Sequence, residues 1–144
     1  MKIPAQPKFK LNEIFVEGDV FGAIDSNLEA WLQNEWRESE AIEVEVVQLD
    51  EHKDNQELIN GFGGEQAIIN STLQPAQIKY LVENEVLQTN GLSNLFFVYS
   101  DKEQKVFIVG VVFDKTIDRF VPYIYLTRNL YRAWTKGNRV FVKK

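Results

Sequence analysis

The hydrophobic spacing changes period along the chain, and each change predicts an element. Ile24, Leu28, Trp31, Leu32 and Trp36 fall at i, i+4, i+7, i+8 and i+12, one face of a helix expected from Phe21 to Arg37. Ser26 and Glu29 match a capping box, so the strongest part should begin at Asn27. The period then drops to two. In "AIEVEVVQ", Ile42, Val44 and Val46 point one way, and Glu43, Glu45 and Val47 the other, as strand side chains alternate. "DEHKDNQELINGF" reads as a loop and a short helix with Leu58 and Ile59 inward. Gly61 would stop that helix, Gly63-Gly64 would turn, and "QAIIN" would be a short strand.

"PAQIKYLVENEVLQTNG" predicts a longer helix, with Pro75 near its start, Ile78, Leu81, Val82 and Val86 on one face, and Asn90-Gly91 as its stop. Beyond it the pattern is mainly β. "NLFFVYS" and "KVFIVGVVF" flank the polar "DKEQ", a hairpin signal. Both runs are almost continuously apolar, which predicts central strands covered on both faces. "RFVPYIYL" would follow as a strand whose Pro122 cannot donate to a ladder and so belongs at an edge, a bulge or a strand end. "TRNLYRAWTKG" reads as a short helix from Thr127 to Gly137, with Leu130, Ala133 and Trp134 inward, and "NRVFVKK" as a closing strand. Pro4 and Pro7 make residues 1–18 an irregular arm, in which Ile14, Phe15 and Val16 could dock as a short strand. The expected fold is α+β: an arm over 1–18, then one domain over 19–144. Its mainly antiparallel sheet of about five or six strands is packed with two longer and two short helices.

Composition fits that fold. The chain of 144 residues suits one domain, and an apolar fraction of 44% with 12% aromatics supplies a core. There are no cysteines, so disulfides, thiolate metal sites and a cysteine nucleophile are excluded. The first fifteen residues lack the apolar stretch of a signal peptide. The longest apolar run, Val106 to Phe113, is far short of the ~20 residues of a membrane span. The expected location is the cytoplasm.

Charge is uneven. Residues 1–72 carry a net −10 and residues 73–144 a net +5. Residues 35–57 alone hold nine acids (Glu35, Glu38, Glu40, Glu43, Glu45, Asp50, Glu51, Asp54, Glu57) against Arg37 and Lys53. Such a field repels itself and steers basic partners. At the other end, Arg128, Arg132, Lys136, Arg139, Lys143 and Lys144 run without an acid. Arg128 and Arg132 would share a helix face with Tyr131 beside them, a grip for phosphate or a single strand.

The remaining chemistry is thin. His52 is the lone histidine, and the acids around it lack the glycine of a calcium loop. "NGFGGEQ" follows a predicted helix instead of preceding one, and no Lys-Ser/Thr pair comes after it, so it does not fit a phosphate loop. Asp101, Glu103 and Lys105 have the spacing of a metal-dependent nuclease but fall in a hairpin tip. No G-x-S-x-G elbow is present. Two tryptophans on one stripe could be a stacking platform but read first as core anchors.

The leading expectation is a small acidic soluble interaction module, of the kind that inhibitors and immunity-type proteins use against nucleic-acid-binding enzymes. It would bind a basic protein surface through Glu35, Glu38, Glu40, Glu43, Glu45, Asp50 and Glu51. The alternative is a nucleic-acid or phosphate-ligand binder using Arg128, Arg132, Lys136 and Arg139. A small enzyme with a carboxylate-lined pocket is the third reading and less favoured. No cofactor, metal or membrane partner is expected.

Overall fold

The computed structural model describes residues 1–129 and 132–144. In chain order the elements are β1 (Lys2–Ile3), β2 (Phe9–Lys10), α1 (Leu11–Ile14), α2 (Ser26–Trp31), β3 (Glu35–Trp36) and β4 (Ile42–Gln48). Then come β5 (Lys53–Asp54), α3 (Asn55–Gly61), a 3₁₀ helix (Ile68–Ser71) and α4 (Pro75–Glu83). The chain ends with β6 (Asn94–Ser100), β7 (Lys105–Asp114), β8 (Arg119–Leu126), β9 (Ala133–Trp134) and β10 (Arg139–Lys143). This is the expected single α+β domain, built on a six-stranded sheet in the order β1-β4-β10-β6-β7-β8. Its one parallel pair joins β10 to β6. The C-terminal strand is thus inserted into the middle, with β4 on its other side.

Both faces of the sheet are covered, as the continuous apolar runs require. On one face, Phe96, Val98, Phe107, Val109, Val111, Ile124, Phe141 and Val44 meet α1, α2 and α4 through Leu11, Leu28, Ile78 and Leu81. Phe96 and Phe141 stack at 5.0 Å across the parallel pair. On the other face, Leu95, Phe97, Ile108, Val140 and Val142 meet Leu58 and Ile59 of α3, Ile68 and Trp134. Each fully buried side chain of this size is worth about 1.5–3 kcal/mol.

The "DKEQ" hairpin forms in full register, from Asn94↔Val111 to Ser100↔Lys105. Pro122 lies on the edge strand β8, where its missing N–H costs no ladder bond. Asp54 and Glu57 cap α3 reciprocally, and Leu58 and Ile59 are buried.

Four expectations, of three helices and one strand, need correction, two because tertiary pairing outweighs local periodicity and two because a local turn intervenes. The first helix is only Ser26–Trp31, capped by Asp25. Before it, Phe21 bridges Phe120 of β8; after it, Trp36 pairs with Phe9 and stacks on it at 5.6 Å. "QAIIN" forms the 3₁₀ helix instead of a strand. Gly63 and Gly64, at φ +100° and +99°, turn the chain so that the Ala67 and Ile68 N–H groups both bond to the Gly64 carbonyl. The longer helix stops at Glu83 because Glu85 takes a left-handed φ of 58° and the Val86 N–H turns back to the Leu81 carbonyl. Residues 127–129 and 132–137 are not helical: Ala133–Trp134 is a strand paired with Lys53–Asp54. The Leu130 and Tyr131 assignments lie outside the described residues.

In the arm, Lys2 and Ile3 pair with Glu43 and Ile42, so the chain start is built into the sheet. Ile14 ends α1 and Phe15 is buried, while Val16 is exposed; these three do not form a strand.

Candidate functional site

The predicted acidic residues fall on two neighbouring surfaces. Residues 5–8 and 35–40 run side by side, held by reciprocal Gln6–Ser39 main-chain bonds of 2.9 Å and by the β2–β3 pair. They line an open cleft of about 1460 Å³ that holds Glu35, Glu38 and Glu40, with Asp101 from the hairpin tip and Lys8 and Arg37 as its cations. Glu35, Glu38 and Glu40 are all exposed. The second surface is β4. Its alternation is as predicted at Val44, which is buried, and at Glu43 and Glu45, which are exposed; Val46 is 39% exposed. Asp50 and Glu51 follow in the exposed turn before β5. The structure therefore joins Glu35, Glu38 and Glu40 in one cleft and leaves Glu43, Glu45, Asp50 and Glu51 along the sheet margin.

The basic tail does fold against this strand. Arg139 lies opposite Gln48 and Lys143 opposite Val44, and the Lys144 N–H donates to the Glu43 carbonyl at 3.0 Å. Side-chain charges do not follow the backbone. Residues directly opposite in an antiparallel pair share a face. Arg139 and Lys143 thus point to the Val44 side, whereas Glu45, opposite Val142, points to the other. Arg139 donates from Nε to Gln48 Oε1 at 3.4 Å, to an amide and not to a carboxylate. Lys143 and Lys144 share a hollow of about 680 Å³ with Glu40 and Glu43.

Among the described residues, only two of the nine acids in residues 35–57 have a cation within 4.0 Å. The Met1 amino group lies 3.6 Å from Glu43, and Lys53 lies 3.2 Å from Glu51. Both carboxylates are exposed, so each pair contributes at most about 1 kcal/mol.

The four cations of the alternative grip are dispersed. Arg128 makes a two-pronged pair with Glu65 at 3.2 and 3.3 Å, and this hydrogen bond holds its guanidinium pKa above the usual value. Arg132 lies 4.5 Å from the rings of both Tyr125 and Trp134. Lys136 is exposed in the turn before Gly137, and Arg139 sits on β10. Arg128 and Arg132 do not share a helix face. Arg128 does line a cavity of about 700 Å³, together with Ile68, Ile69, Tyr99, Lys105, Val106 and Leu126.

Other candidates resolve into structure. Trp31 stacks on Phe107 at 5.3 Å, and Trp36 donates its indole N–H to the Gln33 carbonyl at 2.7 Å. Gln33 and Asp101 clamp α2 to the hairpin tip: the Asp101 N–H donates to Gln33 Oε1 at 2.9 Å, and Gln33 Nε2 to Asp101 Oδ2 at 3.3 Å. His52 is exposed, and no group of three or more His, Asp or Glu among the described residues is disposed to hold a metal ion.

Two polar residues escape a periodicity argument. Asn55, only 4% exposed, accepts the Trp134 indole N–H at 2.7 Å and donates to the Leu126 and Asn129 carbonyls at 3.1 and 3.2 Å. Asp25 binds the edge of β8. An Asn directly after a capping Asp was the one local hint of the first; the second has no sequence signal, because its partner is 99 residues away.

No family model matches this chain, and neither the curated proteins nor the solved structures contain a significant match to it.

Proposed function

We propose that the protein is an acidic interaction module that binds a basic protein surface through the residue 35–40 cleft and the neighbouring margin of β4. The observation that carries this reading is the shortage of ion pairs: Glu35, Glu38, Glu40, Glu45 and Asp50 have no cation within 4.0 Å among the described residues. Of the basic tail, Arg139 meets Gln48, Arg128 meets Glu65 and Arg132 meets aromatic rings, while Lys143 and Lys144 share a hollow with Glu40 and Glu43 without an ion pair within 4.0 Å among the described residues. A carboxylate field left uncompensated across a surface raises the encounter rate of a positively charged partner and fixes its orientation. An inhibitor or immunity-type protein that covers the nucleic-acid-binding surface of an enzyme would need such a field. The same reading keeps the protein in the cytoplasm; no described helix is long and apolar enough to cross a membrane.

The test is capture of a partner from the source cells at low salt, followed by association kinetics. A basic partner whose on-rate falls with salt, and falls again on charge reversal of Glu38, Glu40 and Glu45, supports the proposal. Absence of any partner at low salt removes it.

A second reading rests on the 700 Å³ cavity, whose volume suits a small molecule and whose rim carries Arg128. A small anionic ligand there would compete with Glu65 for the guanidinium. Binding of a phosphorylated or carboxylated small molecule that is lost in Arg128→Ala supports it; titrations that show no saturable binding sink it.

A further inference from the structure

The two edges of the main sheet are treated differently. Along β8 the outward main-chain positions are blocked one after another. The Phe120 N–H donates to the Val20 carbonyl at 3.1 Å, Pro122 has no N–H, and the Ile124 N–H donates to Asp25 Oδ2 at 3.2 Å. Such devices prevent pairing with another chain.

The β4 edge is blocked for only part of its length. Glu43 and Leu49 exchange main-chain bonds with the β10 side. By the alternation of an antiparallel ladder, Val44, Val46 and Gln48 direct theirs outward. Val44 is satisfied: its N–H donates to the Met1 carbonyl at 2.7 Å, and its carbonyl accepts from the Met1 amino group at 3.3 Å. β1 pairs only with Ile42 and Glu43. Beyond it, no described residue pairs with the outer side of Val46 or Gln48, and Glu45, Val46 and Gln48 are all exposed.

We propose that this open edge, from Glu45 to Gln48, takes an extended basic segment of the partner as an added strand. The inference rests on the acidic-module reading and specifies how the partner docks. The edge selects its occupant by alternation. On one face an added strand meets Glu45, with Glu43 next along that face, and Lys or Arg there would be matched. On the other face it meets Val46, which prefers an apolar side chain. A second copy of this chain would instead bring a margin carrying Glu43, Glu45, Asp50 and Glu51 against an identical one, and like charges across a ladder are unfavourable.

The test uses the full chain and a terminally blocked peptide of alternating lysine and valine at ~50 mM salt, where charge attraction is little screened. Main-chain amide exchange is read by NMR. The peptide should slow exchange at Val46 and Gln48 at least about tenfold, as pairing removes these amides from solvent. Val46→Pro removes an outward N–H without touching a ladder bond to β10, and should abolish binding while leaving most of the spectrum in place. A peptide N-methylated on its edge-facing amides keeps its charge and should also fail, which guards against misfolding of the proline variant.

If the N-methylated peptide binds as well as the parent and Val46 stays unprotected, strand addition is wrong while charge-driven docking survives. If the parent peptide does not bind but a folded basic partner does, strand addition is equally wrong. If neither binds, the acidic-module reading falls as well. Protection at Val46 that grows with protein concentration without peptide would assign the edge to a second copy and overturn the proposal.

Discussion

Asp25 Oδ2 accepts the main-chain N–H of Ile124 at 3.2 Å, while its Oδ1 accepts the Asn27 N–H at 3.0 Å. One carboxylate therefore starts α2 and closes the β8 edge. Each bond is modest alone, at about 0.5–1.5 kcal/mol net, and a lost N-cap costs about 1 kcal/mol. Asp25→Ala should destabilise by about 1–3 kcal/mol in urea denaturation. Its Ile124 amide should exchange faster than in the parent protein. An unchanged Ile124 exchange rate would show that the edge bond contributes nothing.

Asn55 should be a costlier position. It holds the Trp134 indole, the carbonyl of Leu126 at the end of β8 and that of Asn129 beyond it. Asn55→Ala leaves a buried indole N–H without its partner, a loss of about 1–3 kcal/mol, and adds a small cavity. Asn60→Ala at the end of α3 breaks only the exposed 2.9 Å bond from Gln56 and should stay within about 0.5 kcal/mol. Chemical denaturation of the two variants side by side checks the contrast.

Tyr125 supplies a pH dependence. Burial raises its phenol pKa above 10.0, and the Arg132 guanidinium over its ring partly opposes the rise. The folded pKa exceeds the unfolded one, so the folded state holds the proton more tightly. Its contribution is complete below pH ~10 and is lost as pH rises through the folded value. Arg132→Met should move the Tyr125 titration, followed by ¹³C NMR of the ring, to still higher pH. A shift to lower pH would show that burial there depends on the guanidinium.

The acidic cleft should not be needed for folding. Glu35, Glu38 and Glu40 are exposed and have no cation within 4.0 Å among the described residues. Glu38→Lys with Glu40→Lys relieves repulsion and should leave stability within about 0.5 kcal/mol of the parent, or raise it. A loss of several kcal/mol would mean that these carboxylates hold the fold together.

The sheet was readable where the pattern is dense. The continuous apolar runs of β6 and β7 led to the right strands and hairpin, and the edge position of β8 was one of three placements that its proline allowed. The ends of the first and last expected helices were not readable, because what stops them is remote. Trp36 continues the helical stripe in sequence, but Phe9 draws it into a strand. Trp134 has helical spacing, but Asn55, 79 residues away, fixes it beside β5. The acidic field was visible from composition. Its lack of ion pairs was not, since only the register of β10 on β4 shows that Arg139 and Lys143 face away from Glu45. The open stretch of β4 was hidden for the same reason: which residues of β4 find a partner is a matter of pairing and not of residue type.

The central claim is that the unpaired carboxylates bind a basic partner. Its most direct measurement is the association rate of the captured partner with the parent protein and with a Glu38→Lys, Glu40→Lys, Glu45→Lys variant, from ~50 mM to ~500 mM salt, a range over which the screening length falls severalfold. The account predicts a rate that is high at low salt and drops steeply for the parent, and that is low and nearly flat for a variant that is still folded. Equal rates for the two proteins at every salt concentration would contradict it.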